Sequence, residues 1–178
     1  MNHDPRDLIT IFNELFEHSE NTVLVWGQDE PIYLPASKTG KRHEIHFAHG
    51  FFASAMHEIS HWCIAGEDRR QRVDFGYWYE PDGRSAQQQQ LFEQVEIKPQ
   101  ALEWIFHRSC GHRFRISADN LSGEETDPSA FKHNVAVQAQ NYIATGLPAR
   151  AARFREALQA FYQTATLQPD NFTLSVLA

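Results

Sequence analysis

Apolar residues recur at the three- and four-residue spacing of helices near both ends of the chain. Asp4 and Pro5 are typical of a helix start, and this first helix is predicted to end near His18. Two further helices are predicted, one at 127–146 and one that begins at Pro148. The three apolar stripes, in chain order, are Leu8, Ile11, Phe12, Leu15 and Phe16; Phe131, Val135, Tyr142 and Ile143; and Phe154, Leu158, Phe161 and Tyr162.

Three short runs rich in β-branched and aromatic residues follow the first helix. Residues 22–26, 31–35 and 43–48 are predicted strands, and the prolines that bound the second run confine it to the edge of a sheet. A turn is predicted at 38–41, and the tail beyond Pro169 is expected to be less ordered. Helices together with a small sheet predict an α+β fold.

Length and composition limit the class of protein. A chain of 178 residues with thirteen phenylalanines is large enough for one domain, 1–178, with a core that needs no disulfide. Cys63 and Cys110 form no C-x-x-C motif, and the N-terminus has no signal-like pattern, so a reducing cytoplasm is expected. No apolar run approaches the ~20 residues that span a bilayer. The net charge of -7 argues against generic nucleic-acid binding.

The strongest chemical motif is H-E-x-x-H at 57–61. His57 and His61 lie one helical turn apart on the same face, so both imidazoles can reach one metal ion, and Glu58 is expected to point toward the same cavity. Small residues dominate the rest of that face, which leaves room for an ion and a substrate. The helix is predicted to run to Ala65, with Gly66 as its C-terminal stop. The simpler alternative is a pair of structural histidines.

Two histidines are an incomplete site, because a catalytic metal usually has a third protein ligand. A glutamate from the next helix, predicted at 87–107 and interrupted or restarted at Pro99, is the best candidate. A helical wheel places Glu96 at the shoulder of the apolar face and Glu93 nearly opposite. Glu96 is therefore favoured and Glu93 is the alternative; otherwise Glu96 is a charge on the helix flank. The apolar face is predicted to hold Leu91, Phe92, Val95, Leu102, Ile105 and Phe106.

Two flanking segments are candidates for substrate contacts. The aromatic segment 73–84, with Tyr77, Trp78 and Tyr79, suits a wall or lid over the site, although a hairpin that packs on the core is an equal alternative. Arginines cluster at 69–72 and at 108–115. Such clusters are usually solvated surface, but they could also dock an acidic partner. Among them, Arg69, Arg70 and Arg72 are the residues that we expect to contact a partner.

The ligand set leaves two chemistries open. With Zn(2+), two histidines and a glutamate would hold the ion while Glu58 acts as general base on bound water, which gives a peptidase-type hydrolase. With Fe(2+), two histidines and one carboxylate would occupy one face of the ion and leave positions for O2 and substrate. A metal-free interaction module is the third possibility.

Several blocks together resemble the bacterial elongation factor P hydroxylase family, and they extend over nearly the whole chain. Together they are far more specific than the H-E-x-x-H motif alone. They are residues 29–35, 47–51, 57–66, 73–79, 95–102, 119–121 and 148–158.

This resemblance implies hydroxylation of the modified lysine of elongation factor P on a metallopeptidase-like α+β scaffold. It also implies His57, His61 and Glu96 as the metal ligands. We therefore expect an oxygen-dependent protein-lysine hydroxylase that uses O2 and most simply Fe(2+). Glu58 then changes from an assumed general base to a catalytic residue of open role.

Overall fold

Helices surround a small three-stranded sheet in the computed structural model, which describes residues 3–27, 29–74, 83–117 and 127–176. Together they form the predicted mixed α+β architecture. In chain order the elements of these ranges are α1 (Pro5–Phe16), β1 (Thr22–Trp26), β2 (Ile32–Leu34), α2 (Ala36–Thr39), β3 (His43–Phe47), α3 (Phe52–Ile64), α4 (Ala86–Ser109), α5 (Ser129–Thr145) and α6 (Ala149–Tyr162).

The sheet has the order β1-β3-β2, with β1 parallel and β2 antiparallel to β3. β2 lies at an edge, as its flanking prolines predict. Ile45, in the central strand β3, pairs with Leu24 of β1 and with Tyr33 of β2. The predicted turn at 38–41 is wrong in detail, because α2 forms one helical turn that closes at Gly40 with a φ of 81°.

A tight 3-10 turn at Ala48–Gly50 connects β3 to α3. Gly50 has a φ of 68°, and a Cβ at this position would lie 1.9 Å from the indole ring of Trp26. Only glycine therefore suits this contact without rearrangement. The backbone N–H of Ala48 donates a hydrogen bond to Ser54 Oγ at 2.9 Å, which attaches the turn to the first turn of α3.

The C-terminal end of α3 differs from the prediction. The helix ends at Ile64, and Ala65 leaves it with an extended backbone (φ -62°, ψ 125°), so Gly66 is not the left-handed stop that we expected. Arg150 of α6 donates hydrogen bonds to the carbonyl oxygens of Cys63 and Ala65, at 3.3 and 2.5 Å. A guanidinium from another helix thus satisfies carbonyls at a helix end that would otherwise lack donors.

The longest helix, α4, runs without a break through Pro99, so the predicted interruption there is wrong. Proline removes one backbone donor, and the buried contacts of α4 with α3, α5 and α6 outweigh that loss. The predicted apolar face is also wrong in part. Leu91 and Val95 are exposed, whereas the polar side chains of Glu96, Gln100 and Glu103 are buried.

The buried apolar side chains pack into a core that α1, α3, α4, α5 and α6 share with the sheet. Two predictions about the C-terminal region are wrong. Phe161 is exposed, and the tail is ordered as far as Val176, with Phe172 completely buried. Gln140 of α5 holds this tail through a 2.8 Å hydrogen bond to the carbonyl oxygen of Phe172. No helix in the described ranges is long and apolar enough to cross a membrane.

Candidate metal centre

His57, His61 and Glu96 converge where α3 crosses α4. The Nε2 atoms of the two histidines lie 3.1 Å apart. The carboxylate of Glu96 lies beside both nitrogens, with Oε1 3.2 Å from His61 Nε2 and Oε2 3.9 Å from His57 Nε2. One potential ligand atom from each residue thus lies within 4.8 Å of the others. The structure brings together two histidines from the H-E-x-x-H motif and one glutamate from a separate helix.

These separations fit a common metal ion. Imidazole nitrogens bind metals at about 2.0–2.1 Å, so two of them at right angles or tetrahedral angles around one ion lie roughly 2.8–3.4 Å apart. The 3.1 Å separation of the histidine nitrogens and the 3.2 Å distance from His61 to Glu96 are in this range. Nitrogen and carboxylate donors of this kind bind Fe(2+), Zn(2+) and other divalent ions.

The centre is closed on one side and open on the other. The side chains of Glu96 and His61 are 1% and 10% exposed, whereas that of His57 is 29% exposed. Ala53, one turn before His57 on the same face, is also exposed, as the small-residue face of α3 predicts. A substrate therefore has access to the centre from the side of His57.

Glu93, the alternative ligand, lies elsewhere. Its Oε1 accepts a 3.1 Å hydrogen bond from Gln89, one turn earlier on α4. Glu93 is not part of the cluster at His57 and His61. The register of α4 brings Glu96 to the centre instead.

Gln100 holds Glu96 from the next turn of α4. Its Nε2 donates hydrogen bonds to Glu96 Oε2 at 3.3 Å and to the carbonyl oxygen of Ser117 at 2.8 Å. Its Oε1 accepts a 3.0 Å hydrogen bond from the backbone N–H of Ser117. Because Gln100 is fully buried and bonded at both ends of its amide, it orients the Glu96 carboxylate.

Glu103 is the third buried polar residue of this helix face. Its Oε2 accepts a 2.9 Å hydrogen bond from His57 Nδ1, and its Oε1 lies 3.6 Å from Nε2 of His107. Gln100, Glu103 and His107 are not among the site residues predicted from the sequence. They follow Glu96 along one helix face at successive intervals of four, three and four residues, a signal that a helical wheel centred on Glu96 could have found.

The electrostatics of the centre favour a cation. Burial alone would lower the pKa of His57, but the carboxylates of Glu103, Glu96 and Glu58 raise it to about 10. Burial by itself raises the pKa of Glu103, and the neighbouring His57 and His107 reverse this and lower it. The carboxylates beside His57 thus stabilise positive charge at the centre, and a bound divalent ion would supply such charge.

Glu58 lines a recess that it shares with His61. Burial raises the pKa of Glu58, while His57 and His61 lower it in part. The protonated carboxyl is therefore favoured relative to an exposed glutamate. The other residues that line this recess are Tyr33, Ile45, Trp62, Ala65, Arg69, Arg70 and Asp74.

The three candidate partner-binding arginines differ in their surroundings. Arg69 is paired with Asp74, and Arg70 is paired with Glu20 at 3.2 Å, so both are wall residues of the recess. Arg72 is exposed and has no ion pair within the described ranges. The aromatic candidates Tyr77, Trp78 and Tyr79 lie outside the described residues.

A second cavity lies beside the open side of the centre. It includes Ala53 and Glu103, which both adjoin His57, and it extends toward the second arginine cluster. Its remaining lining residues are His107, His112, Arg113 and Arg115.

Comparisons with known proteins identify the family. The elongation factor P hydroxylase family model matches residues 11–172. The chain belongs to this family. A curated relative, the elongation factor P lysine hydroxylase of Haemophilus influenzae, is 54% identical over 164 residues, which cover 92% of each chain.

The match to the elongation factor P hydroxylase family spans both helices of the candidate centre. The matched range contains all of α3 and α4, and with them His57, His61 and Glu96. It also contains Gln100 and Glu103, which orient the candidate ligands. The resemblance noted in the sequence is thereby confirmed at the level of the family.

Proposed function

We propose that this protein is a metal-dependent hydroxylase that inserts one oxygen atom from O2 into a C–H bond of the modified lysine of elongation factor P, while an external two-electron reductant and two protons convert the other oxygen atom to water. The observation that carries the proposal is the convergence of His57, His61 and Glu96 beside an open face, in a chain of the elongation factor P hydroxylase family. The name of the curated relative supports elongation factor P as the protein substrate and lysine as the residue that is modified.

We assign the metal ligands to His57 Nε2, His61 Nε2 and the carboxylate of Glu96. A two-histidine-one-carboxylate set leaves coordination positions open, which suits Fe(2+). Fe(2+) at this site would supply the redox chemistry that activates O2. The protein contributes carboxylates that stabilise positive charge at the centre, and Gln100 and Glu103 orient two of the ligands.

Glu58 is proposed as a catalytic residue that acts from the recess it shares with His61. Glu58 lines this recess together with His61, so its carboxyl group can form a hydrogen bond with a substrate atom there. This role differs from that of the general base in a zinc peptidase, which accepts a proton from water.

Substrate contacts are proposed on the surface next to this recess. The exposed Arg72 can contact an acidic group of elongation factor P, whereas Arg69 and Arg70 act through the recess wall. Tyr77 and Tyr79 are proposed to contact the substrate. We further propose that residues 1–178 form one domain of metallopeptidase-like type that works in the cytoplasm, without membrane or nucleic-acid partners.

The alternative function is a zinc metallopeptidase-type hydrolase with the same ligands. Metal analysis of anaerobically purified protein distinguishes iron from zinc. Co-expression with elongation factor P, followed by intact mass measurement, tests the reaction itself. We expect elongation factor P to gain the mass of one oxygen atom with the wild-type protein and none with His57→Ala. The absence of any gain with metal-loaded wild-type protein would refute the proposal.

A further inference from the structure

We propose that Glu103 is a positioning residue for the metal centre: it holds the imidazole of His57 in the tautomer and orientation that metal binding requires. This inference rests on the metal site of the proposed function and assigns a role to a residue that the H-E-x-x-H motif does not contain. Glu103 belongs to α4, two helical turns beyond Glu96, so the same helix supplies one ligand and supports another.

The hydrogen bond is on the correct side of the ring. His57 presents Nε2 to His61 and Glu96, and its Nδ1 donates to Glu103 Oε2 at 2.9 Å. A neutral imidazole that binds a metal through Nε2 must keep its proton on Nδ1. Glu103 accepts the hydrogen bond from Nδ1–H of His57 and therefore favours this tautomer. The same geometry excludes Glu103 as a ligand, because it contacts the ring nitrogen that faces away from the cluster.

His57 needs this support more than His61 does. The side chain of His57 is 29% exposed, so packing restricts its rotation less than that of His61, which is 10% exposed. The Nδ1 atom of His61 is buried and has no hydrogen-bond partner among the described residues. Packing therefore holds the inner histidine, whereas a buried carboxylate holds the outer one.

A second pair of histidines continues the chain of contacts beyond Glu103. Its Oε1 lies 3.6 Å from Nε2 of His107, one turn later on α4. Nδ1 of His107 is 2.7 Å from Nδ1 of His112, and the ring of His112 packs on Phe52 at a centroid distance of 4.9 Å. Phe52 is the first residue of α3, so this chain of contacts begins and ends on the helix that bears His57. The Glu103 side chain is 9% exposed and has little freedom to move.

The decisive experiment measures Co(2+) binding and the visible spectrum of the Co(2+)-loaded protein for Glu103→Ala and Glu103→Gln. Loss of a residue that orients a metal ligand typically weakens affinity about 10- to 100-fold. We expect Glu103→Ala to raise the Co(2+) dissociation constant by about this factor and to change the ligand-field bands. Glu103→Gln should be intermediate, because its amide oxygen still accepts the Nδ1 hydrogen bond without the charge.

Glu93→Gln is the matched control, because it makes the same chemical change on the same helix outside the cluster. The affinity of this variant for Co(2+) should equal that of the wild type. Circular dichroism establishes that each variant is folded. Wild-type affinity and spectrum in folded Glu103→Ala would overturn the role of Glu103 and leave the proposed function intact. A wild-type protein that binds no Co(2+) would overturn the metal site and the role of Glu103 together.

Discussion

Gln100 connects a proposed metal ligand to a loop: its amide nitrogen contacts Glu96 Oε2 at 3.3 Å and the carbonyl oxygen of Ser117 at 2.8 Å. The same side chain therefore contributes to the stability of the fold and to the geometry of the centre. The two contributions can be measured separately.

Replacing Gln100 with leucine should lower both the stability of the fold and the metal affinity of the centre. The backbone N–H and carbonyl oxygen of the exposed Ser117 lose their side-chain partner, and a typical intramolecular hydrogen bond contributes about 0.5–1.5 kcal/mol to stability. We expect the free energy of unfolding, from urea denaturation, to fall by roughly that amount, and metal affinity to decrease as well. Unchanged stability and affinity would contradict the role of Gln100.

The assignment of Glu96 as the third ligand predicts that substitutions of two glutamates on the same helix differ in their effect on metal content. Glu96→Gln should remove most bound metal, as His61→Ala should, because each removes one of three protein ligands. Glu93→Gln should keep a full complement, since Glu93 contacts Gln89 rather than the centre. Elemental analysis of the purified variants makes the comparison. Metal loss in Glu93→Gln with retention in Glu96→Gln would reverse the assignment.

The lowered pKa of His112 should make the free energy of unfolding depend on pH. Burial lowers its pKa to about 4, and His107 and His3 contribute to the shift. The pKa is about 6.5 in an unfolded chain, so the unfolded state binds more protons between these values. The contribution of His112 to stability is therefore complete above about pH 6.5 and decreases as the pH falls toward 4.

His112→Phe keeps an aromatic ring beside Phe52 and removes this titration. Urea unfolding of the wild type and the variant between pH 7 and pH 4.5 should show a steeper loss of stability in the wild type. Parallel pH profiles would show that the pKa of His112 is not lowered in the folded chain.

Charge reversal at Arg72 tests the proposed docking surface. Arg72→Glu should weaken the binding of elongation factor P several-fold and leave metal content unchanged, because Arg72 is exposed and is not part of the cluster of candidate ligands. Arg108→Glu, on an exposed residue at the other arginine cluster, is the control for net charge. Equal binding by Arg72→Glu and the wild type would exclude this residue from the interface. Arg69 and Arg70 are less informative, because reversing them also breaks pairs with Asp74 and Glu20.

The sequence predicted the centre as far as local geometry allowed. His57 and His61 are recognisable because a spacing of four residues places side chains on one helix face regardless of the rest of the fold. Glu96 required an argument about a second helix. Glu103 could not be assigned from spacing alone, because its role depends on the distance between α3 and α4.

Errors in the predicted elements have a similar origin. Local propensity suggested a break at Pro99 and a less ordered tail after Pro169, and tertiary packing overrides both. The burial of one face of α4 and of Phe172 stabilises these segments by more than the local conformational preferences destabilise them.

The most direct test of the central claim is the origin of the oxygen atom. Cells that co-express this protein and elongation factor P are grown under 18O-labelled O2, and elongation factor P is analysed by peptide mass spectrometry. We predict one 18O atom on the modified lysine with the wild-type protein and none with Glu96→Gln or His57→Ala. An unlabelled lysine in the presence of metal-loaded wild-type protein, or oxygen that derives from water, would contradict the account.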